Sequence, residues 1–118
     1  MIPHVLVVDD DKTLADSLAA VLEQHGFHAS VAYSGADAVQ CALHAPPDFI
    51  LSDIFMEGID GVDVAIAITE TLPRCRVLLM SGAADTSRTL DKAQRRGHNF
   101  EVLTKPVLTD SLLDKLHA

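Results

Sequence analysis

Five short apolar runs punctuate this chain, each giving way to polar or turn-forming residues before a stretch of helical spacing begins: Val5 to Val8, Phe27 to Ala32, Phe49 to Ser52, Arg76 to Met80 and Phe100 to Leu103. Runs this short, rich in Val, Ile and Leu, have the composition of strands covered on both faces. Regular alternation of such strands with helices predicts an α/β fold, in which five parallel strands are joined by right-handed crossovers and five helices cover both faces.

The intervening stretches carry the expected signals. Leu14, Leu18, Val21 and Leu22 recur at helical spacing up to Gly26, which supplies a stop. Ser34 reads as the N-cap of a second helix, with Asp37 three residues on, Val39 and Leu43 as its apolar edge and Pro46-Pro47 forbidding its continuation. A third helix turns Val62, Ala65, Ile66 and Thr69 inward before Pro73. A fourth, from about Thr86 to Arg96, offers mainly Leu90 and Ala93 to a core, so few contacts are expected to hold it. Leu112, Leu113 and Leu116 line a last helix capped at Thr109 or Asp110.

With 118 residues, the chain reads as one domain, 1–118, without linker, repeat or low-complexity segment. The hydrophobic fraction is 48% but the aromatic fraction only 4%, so aliphatic side chains must fill the core. A formal charge of -8, from 17 acidic and 9 basic residues, argues against direct nucleic-acid binding by the surface as a whole. Cys41 and Cys75 are expected to be reduced thiols, and no apolar run is long enough for a signal peptide or membrane insertion. A cytoplasmic protein is the expectation. The six histidines show no metal-ligand spacing and receive no role.

Chemistry gathers at the strand ends. Asp9 and Asp10 follow the first strand, Asp53 the third, Ser81 the fourth and Lys105 the fifth. Parallel strands deliver all of these to one edge. Carboxylates about 5 Å apart repel by roughly 3 kcal/mol per pair at an effective dielectric near 20, so the acidic cluster calls for cations. Lys105 supplies one charge, and a hard divalent ion such as Mg2+ would supply the rest. In such a pocket Asp53 is positioned to attack a phosphoryl group, with Lys105 and Ser81 available to its oxygens.

The order Val-Val-Asp9-Asp10, then Asp53 with Met56, Asp60 and Gly61, then Ser81-Gly82, then Lys105-Pro106, resembles the receiver domain of two-component response regulators along the whole chain. The resemblance implies a flavodoxin-like sheet of order 2-1-3-4-5. It implies Asp53 as phosphoacceptor; Asp9, Asp10, Asp53 and the backbone carbonyl of Phe55 as Mg2+ ligands; and Ser81 and Lys105 as the groups meeting the phosphoryl. It further implies a histidine kinase or phosphotransfer protein as donor, self-catalysed hydrolysis of the aspartyl phosphate, and a cis Lys105-Pro106 bond. With the chain closing at Ala118, a stand-alone regulator is expected, its output made by a partner or else by a further domain.

Two positions depart from the family pattern. Glu57 stands where receivers usually carry Pro, and Val102 where they carry the Tyr or Phe that turns inward on activation. Phe100 shares the strand parity of Val102 but lies roughly 6.6 Å further down, so it is expected under the fourth helix and outside the switch. Arg88, Lys92 and Arg95, with Arg96, form a basic stripe on that helix; with Val102 they mark a face for an output partner, or else are solvated charges. Two other readings compete. Asp9-Asp10-Asp11-Lys12-Thr13 also resembles the DxDxT signature of haloacid-dehalogenase-type phosphatases, with Asp9 as nucleophile and Asp11 as acid/base, although Asp11 is more simply a helix cap. A receiver-like module that binds partners without phosphorylation is the other.

Overall fold

The computed structural model describes residues 2–56, 58–82 and 87–117. The chain runs β1 (His4–Val8), α1 (Lys12–Gln24), β2 (His28–Ala32), α2 (Gly35–His44), β3 (Phe49–Asp53), α3 (Gly61–Thr71), β4 (Arg76–Ser81), α4 (Ser87–Arg95), β5 (Glu101–Thr104) and α5 (Thr109–His117). The strands form one parallel sheet in the order β2-β1-β3-β4-β5. The expected fold and strand order are both present.

Strand pleating sorts the core. Val5 and Val7 join Leu51, Leu78, Met80 and Leu103 beneath α1 and α5, where Ala15, Leu22, Leu112 and Leu116 are buried. Leu6, Val8 and Ile50 face the other way, against Ala38 and Ala42 of α2 and Val64 and Ile68 of α3. Further along that second face, Leu79 packs with Ile54, Val62, Ala65 and Ala93, the last from α4. The sheet is therefore covered on both sides, which is what continuous apolar strands require.

Several local expectations are corrected. On α2 Val39 packs against the core as expected, but the fully buried residues are Gly35, Ala38 and Ala42, and Leu43 is 49% exposed. α2 approaches closely at its start: a Cβ added at Gly35 would stand 2.1 Å from Ile59 Cγ2 and 2.9 Å from Val64 Cγ2. β2 and β5 each begin one residue later than expected, leaving Phe27 and Phe100 as flanking residues. Thr109 is already the first residue of α5, and the amide of Leu112 bonds the carbonyl of Leu108. Elsewhere the caps match: Asp11 Oδ1 accepts from Leu14 N at 3.2 Å, Ser34 Oγ accepts from Asp37 N at 3.1 Å, and Gly26 takes φ 90° after α1.

Both cysteines are free, Cys41 exposed and Cys75 buried with its thiol pushed up to about 11 by burial and then by the charge of Asp48. Among the described residues no helix is long and apolar enough to cross a membrane.

The end of the sheet away from the acidic cluster carries a tilted pair of imidazoles. His4 and His28 face each other in the β1–β2 register, with ring centroids 4.8 Å apart. His4 Nε2 lies 2.8 Å from Ser30 Oγ, and His28 Nδ1 lies 3.6 Å from Glu23 Oε1. Burial, then the charge of His28, pushes His4 below its ordinary value of 6.5, against the Pro46 carbonyl and Asp48. The unfolded chain therefore binds a proton at His4 before the folded chain does. Stability that is full above pH 6.5 should decline as the pH falls through the depressed folded value. Urea titrations between pH 7.5 and 5 should show a decline that His4→Gln makes shallower; equal slopes would exclude His4 as its source.

Candidate functional site

The strand ends converge as the topology requires. Val8 pairs with Ser52 and Asp53 pairs with Met80, so Asp9 and Asp53 emerge side by side above β1 and β3. Carboxylate oxygens of Asp9, Asp10 and Asp53 all lie within 4.8 Å of one another. Asp9 is 1% exposed and Asp53 8%, whereas Asp10 is exposed. Lys105 Nζ stands 3.1 Å from Asp53 Oδ2 and 3.4 Å from Asp9 Oδ2, so one ammonium serves two buried carboxylates.

The backbone fixes these positions. Asp9 N donates to the carbonyl of Ala32, and Asp9 Oδ1 accepts from Asp11 N at 3.0 Å. Ile54 N donates to the carbonyl of Met80, so the chain leaves Asp53 still tied to β4. Ser81, 2% exposed, pairs in register with Thr104, and its carbonyl accepts from Lys105 N at 2.9 Å. The Lys105-Pro106 bond is cis. Phe55 lies two residues beyond Asp53 and is 48% exposed.

The electrostatics follow from burial. Burial pushes the Asp9 carboxyl above the usual carboxylate range; the Asp11 amide and then Lys105 work against this, and Asp53 adds to it. Burial disfavours the Lys105 ammonium, but the hydrogen bonds and charges of Asp53 and Asp9 outweigh it and raise Lys105 above the ordinary lysine range. Lys105 is therefore fixed as a cation. Among the described residues the site brings together three carboxylates, two of them paired with the Lys105 ammonium, and these donors are hard oxygens at mutual distances a small divalent ion can bridge. These residues fit Mg2+.

Two features of the site escaped the sequence. Gly61 takes no positive φ; instead, a Cβ there would lie 2.0 Å from the backbone oxygen of Asp53 and 3.0 Å from Ile54 Cα. The positive φ in this loop belongs to Gly58, at 86°. Lys92, expected on a basic stripe, is bound within the molecule: its Nζ is 2.7 Å from Asp60 Oδ2 and 2.9 Å from Asp63 Oδ1. Arg95 pairs with Asp91 on its own helix, and Arg96 with Glu70 of α3. Glu57 and the side chain of Arg88 lie outside the described residues. Phe100, stacked on His98 at 5.2 Å, packs with Val102, Leu90 and Ala93 on the α4 side of the sheet. Asp11, the acid/base of the phosphatase alternative, has its carboxylate engaged in capping α1.

Comparison with known proteins agrees with this geometry. The family model for the response regulator receiver domain matches residues 5–117. Protein PilH of Pseudomonas aeruginosa is 33% identical over 115 residues, a span covering 98% of this chain and 95% of that protein. The crystal structure of a CheY-like receiver domain protein from Methanospirillum hungatei superposes with a TM-score of 0.89 at 21% identity, covering 99% of this chain and 92% of the other, which is a likeness of fold. The signal receiver domain of a modulated diguanylate cyclase from Desulfovibrio desulfuricans gives a TM-score of 0.87 at 31% identity, covering 99% and 92%.

Proposed function

This chain belongs to the response regulator receiver family, and from that premise we propose that Asp53 accepts a phosphoryl group from the phosphohistidine of a histidine kinase or phosphotransfer protein. The observation that carries the reading is the lysine held between two buried carboxylates, 3.1 Å from Asp53, beside a third acid. A carboxylate oxygen of Asp53 forms a bond to phosphorus as the phosphorus–nitrogen bond of the donor breaks, and the imidazole leaves with a proton from solvent. Hydrolysis by water later returns the carboxylate and releases phosphate.

The residues divide the work. Lys105, fixed as a cation by its two partners, neutralises oxygens of the transferring group without having to reorganise. Ser81, buried at the adjoining strand end, offers a hydroxyl to the same oxygens. Asp9, Asp10, Asp53 and the carbonyl of Phe55 would hold Mg2+, which when bound supplies the remaining positive charge for phosphoryl transfer. Asp9, raised by burial, is the ligand whose ionisation depends most on a nearby cation.

The proposed setting of this receiver domain is the cytoplasm, which suits its two free thiols. The domain is a self-phosphorylating and self-dephosphorylating phosphoacceptor that switches the binding of an output partner. Incubation with a small phosphodonor and Mg2+, followed by mass spectrometry, should find a base-labile phosphate on Asp53 that requires Mg2+. Phosphate on Asp9 would overturn this reading in favour of a phosphatase, and no phosphate at all in favour of a non-phosphorylated module.

A further inference from the structure

Lys92 lies in α4, yet both of its carboxylate partners belong to the start of α3. Its Nζ is 2.7 Å from Asp60 Oδ2 and 2.9 Å from Asp63 Oδ1. The other oxygen of Asp60 accepts from Asp63 N at 2.9 Å, so this one carboxylate both opens α3 and grips α4.

The next residue has no freedom to move alone. Gly61 N donates to the carbonyl of Ile54 at 2.7 Å, and its Cα is packed so near Asp53 that a Cβ would stand 2.0 Å from the Asp53 backbone oxygen. Asp53, Gly61, Asp60 and Lys92 are thus consecutive members of one tightly packed chain of contacts. A change of charge or ligation at Asp53 that shifts the loop leading to Gly61 must carry Asp60 with it, because interiors this close do not deform gradually.

The other described cations of α4 and of the residue that follows it do not touch this path. Arg95 bonds Asp91 on its own helix, and Arg96 bonds Glu70 near the far end of α3. The apolar attachment of α4 comes from Ala93, with Leu90 partly buried.

We infer that Lys92 is the positioning residue through which α4 follows the state of Asp53, its ammonium clasping α4 to the Asp60–Asp63 turn. The inference rests on Asp53 being the acceptor, and it goes beyond that reading in assigning the route of the readout. Coupling of this kind is reciprocal, so what happens at Asp53 biases the clasp and the clasp biases Asp53.

The test uses the intact chain, labelled with 15N, with and without Mg2+ plus beryllium fluoride, an aspartyl-phosphate mimic. In the wild type, backbone amides of Asp53, Gly61 and α4 should all shift. In Lys92→Met the shifts at Asp53 and Gly61 should persist while those in α4 shrink at least threefold; Lys92→Arg should restore them. Asp63→Asn, which removes one anchor and leaves the Asp60 cap, should give an intermediate response. Undiminished α4 shifts in Lys92→Met would overturn the inference, as would a wild type in which Asp53 responds and α4 does not. If the Asp53 amide itself fails to respond, the acceptor reading has failed first, and the inference falls with it.

Discussion

Lys105→Met should slow phosphoryl transfer to Asp53 by about 10²- to 10³-fold, the usual loss when one preorganised charge-stabilising donor is removed, and at the same time tighten Mg2+ binding. The two effects have opposite signs because the ammonium has two roles. In the resting site it stands 3.1 Å from Asp53 Oδ2 and 3.4 Å from Asp9 Oδ2, occupying carboxylates that a metal would share. Between charges of +2 and +1 about 5 Å apart the repulsion is ~1.7 kcal/mol even at the dielectric of water, so its removal is expected to improve affinity roughly tenfold. Calorimetric titration with Mg2+ and the labelling rate with a small phosphodonor read the two effects separately. Weaker metal binding in the variant would mean that Lys105 organises the acids more than it competes for them.

Gly61→Ala should be the most destabilising single-methyl change in the loop after β3, costing about 3 kcal/mol in urea unfolding. The added carbon would meet the Asp53 carbonyl oxygen at 2.0 Å, its carbon at 2.9 Å and Ile54 Cα at 3.0 Å, all backbone atoms that cannot rotate aside. Gly58→Ala is the control. Gly58 has φ 86° and nothing within 4 Å of an added Cβ, so its cost is the left-handed backbone alone, about 1 kcal/mol. Equal losses in the two variants would show that α3 can move away from β3 freely, contrary to the packing of Gly61 on Asp53.

The contrast between these glycines marks what the sequence conveys. Asp9, Asp10, Asp53, Ser81 and Lys105 were legible because each follows a recognisable strand, and parallel pairing turns strand ends into neighbours. The fold was legible for the same reason: Val5 to Val8 and Phe49 to Asp53 have the composition of strands covered on both faces. Packing between elements was not. Gly35 and Gly61 look like turn residues in one dimension, and only the proximity of Ile59 and of the Asp53 backbone shows that they are clearances. Lys92 likewise looks solvated until α4 is laid beside α3, because an ion pair across 32 residues leaves no periodic trace. Leu43 misled in the opposite sense: it shares helical spacing with Val39, which packs against the core, yet is itself 49% exposed.

The place of β1 between β2 and β3 has a consequence for how the molecule comes into being. Synthesised from its amino terminus, the chain holds β1 with only β2 as a possible neighbour until Phe49–Asp53 emerges to pair on its other side. Asp9 is made 96 positions before the lysine whose ammonium it contacts. A nascent chain therefore carries the acidic corner without that counter-charge until the intervening residues have been added. Long-range pairings of this kind close late. The acidic pocket is accordingly completed only once Lys105 has been made, and a chain terminated before it would present carboxylates without that lysine to hold them.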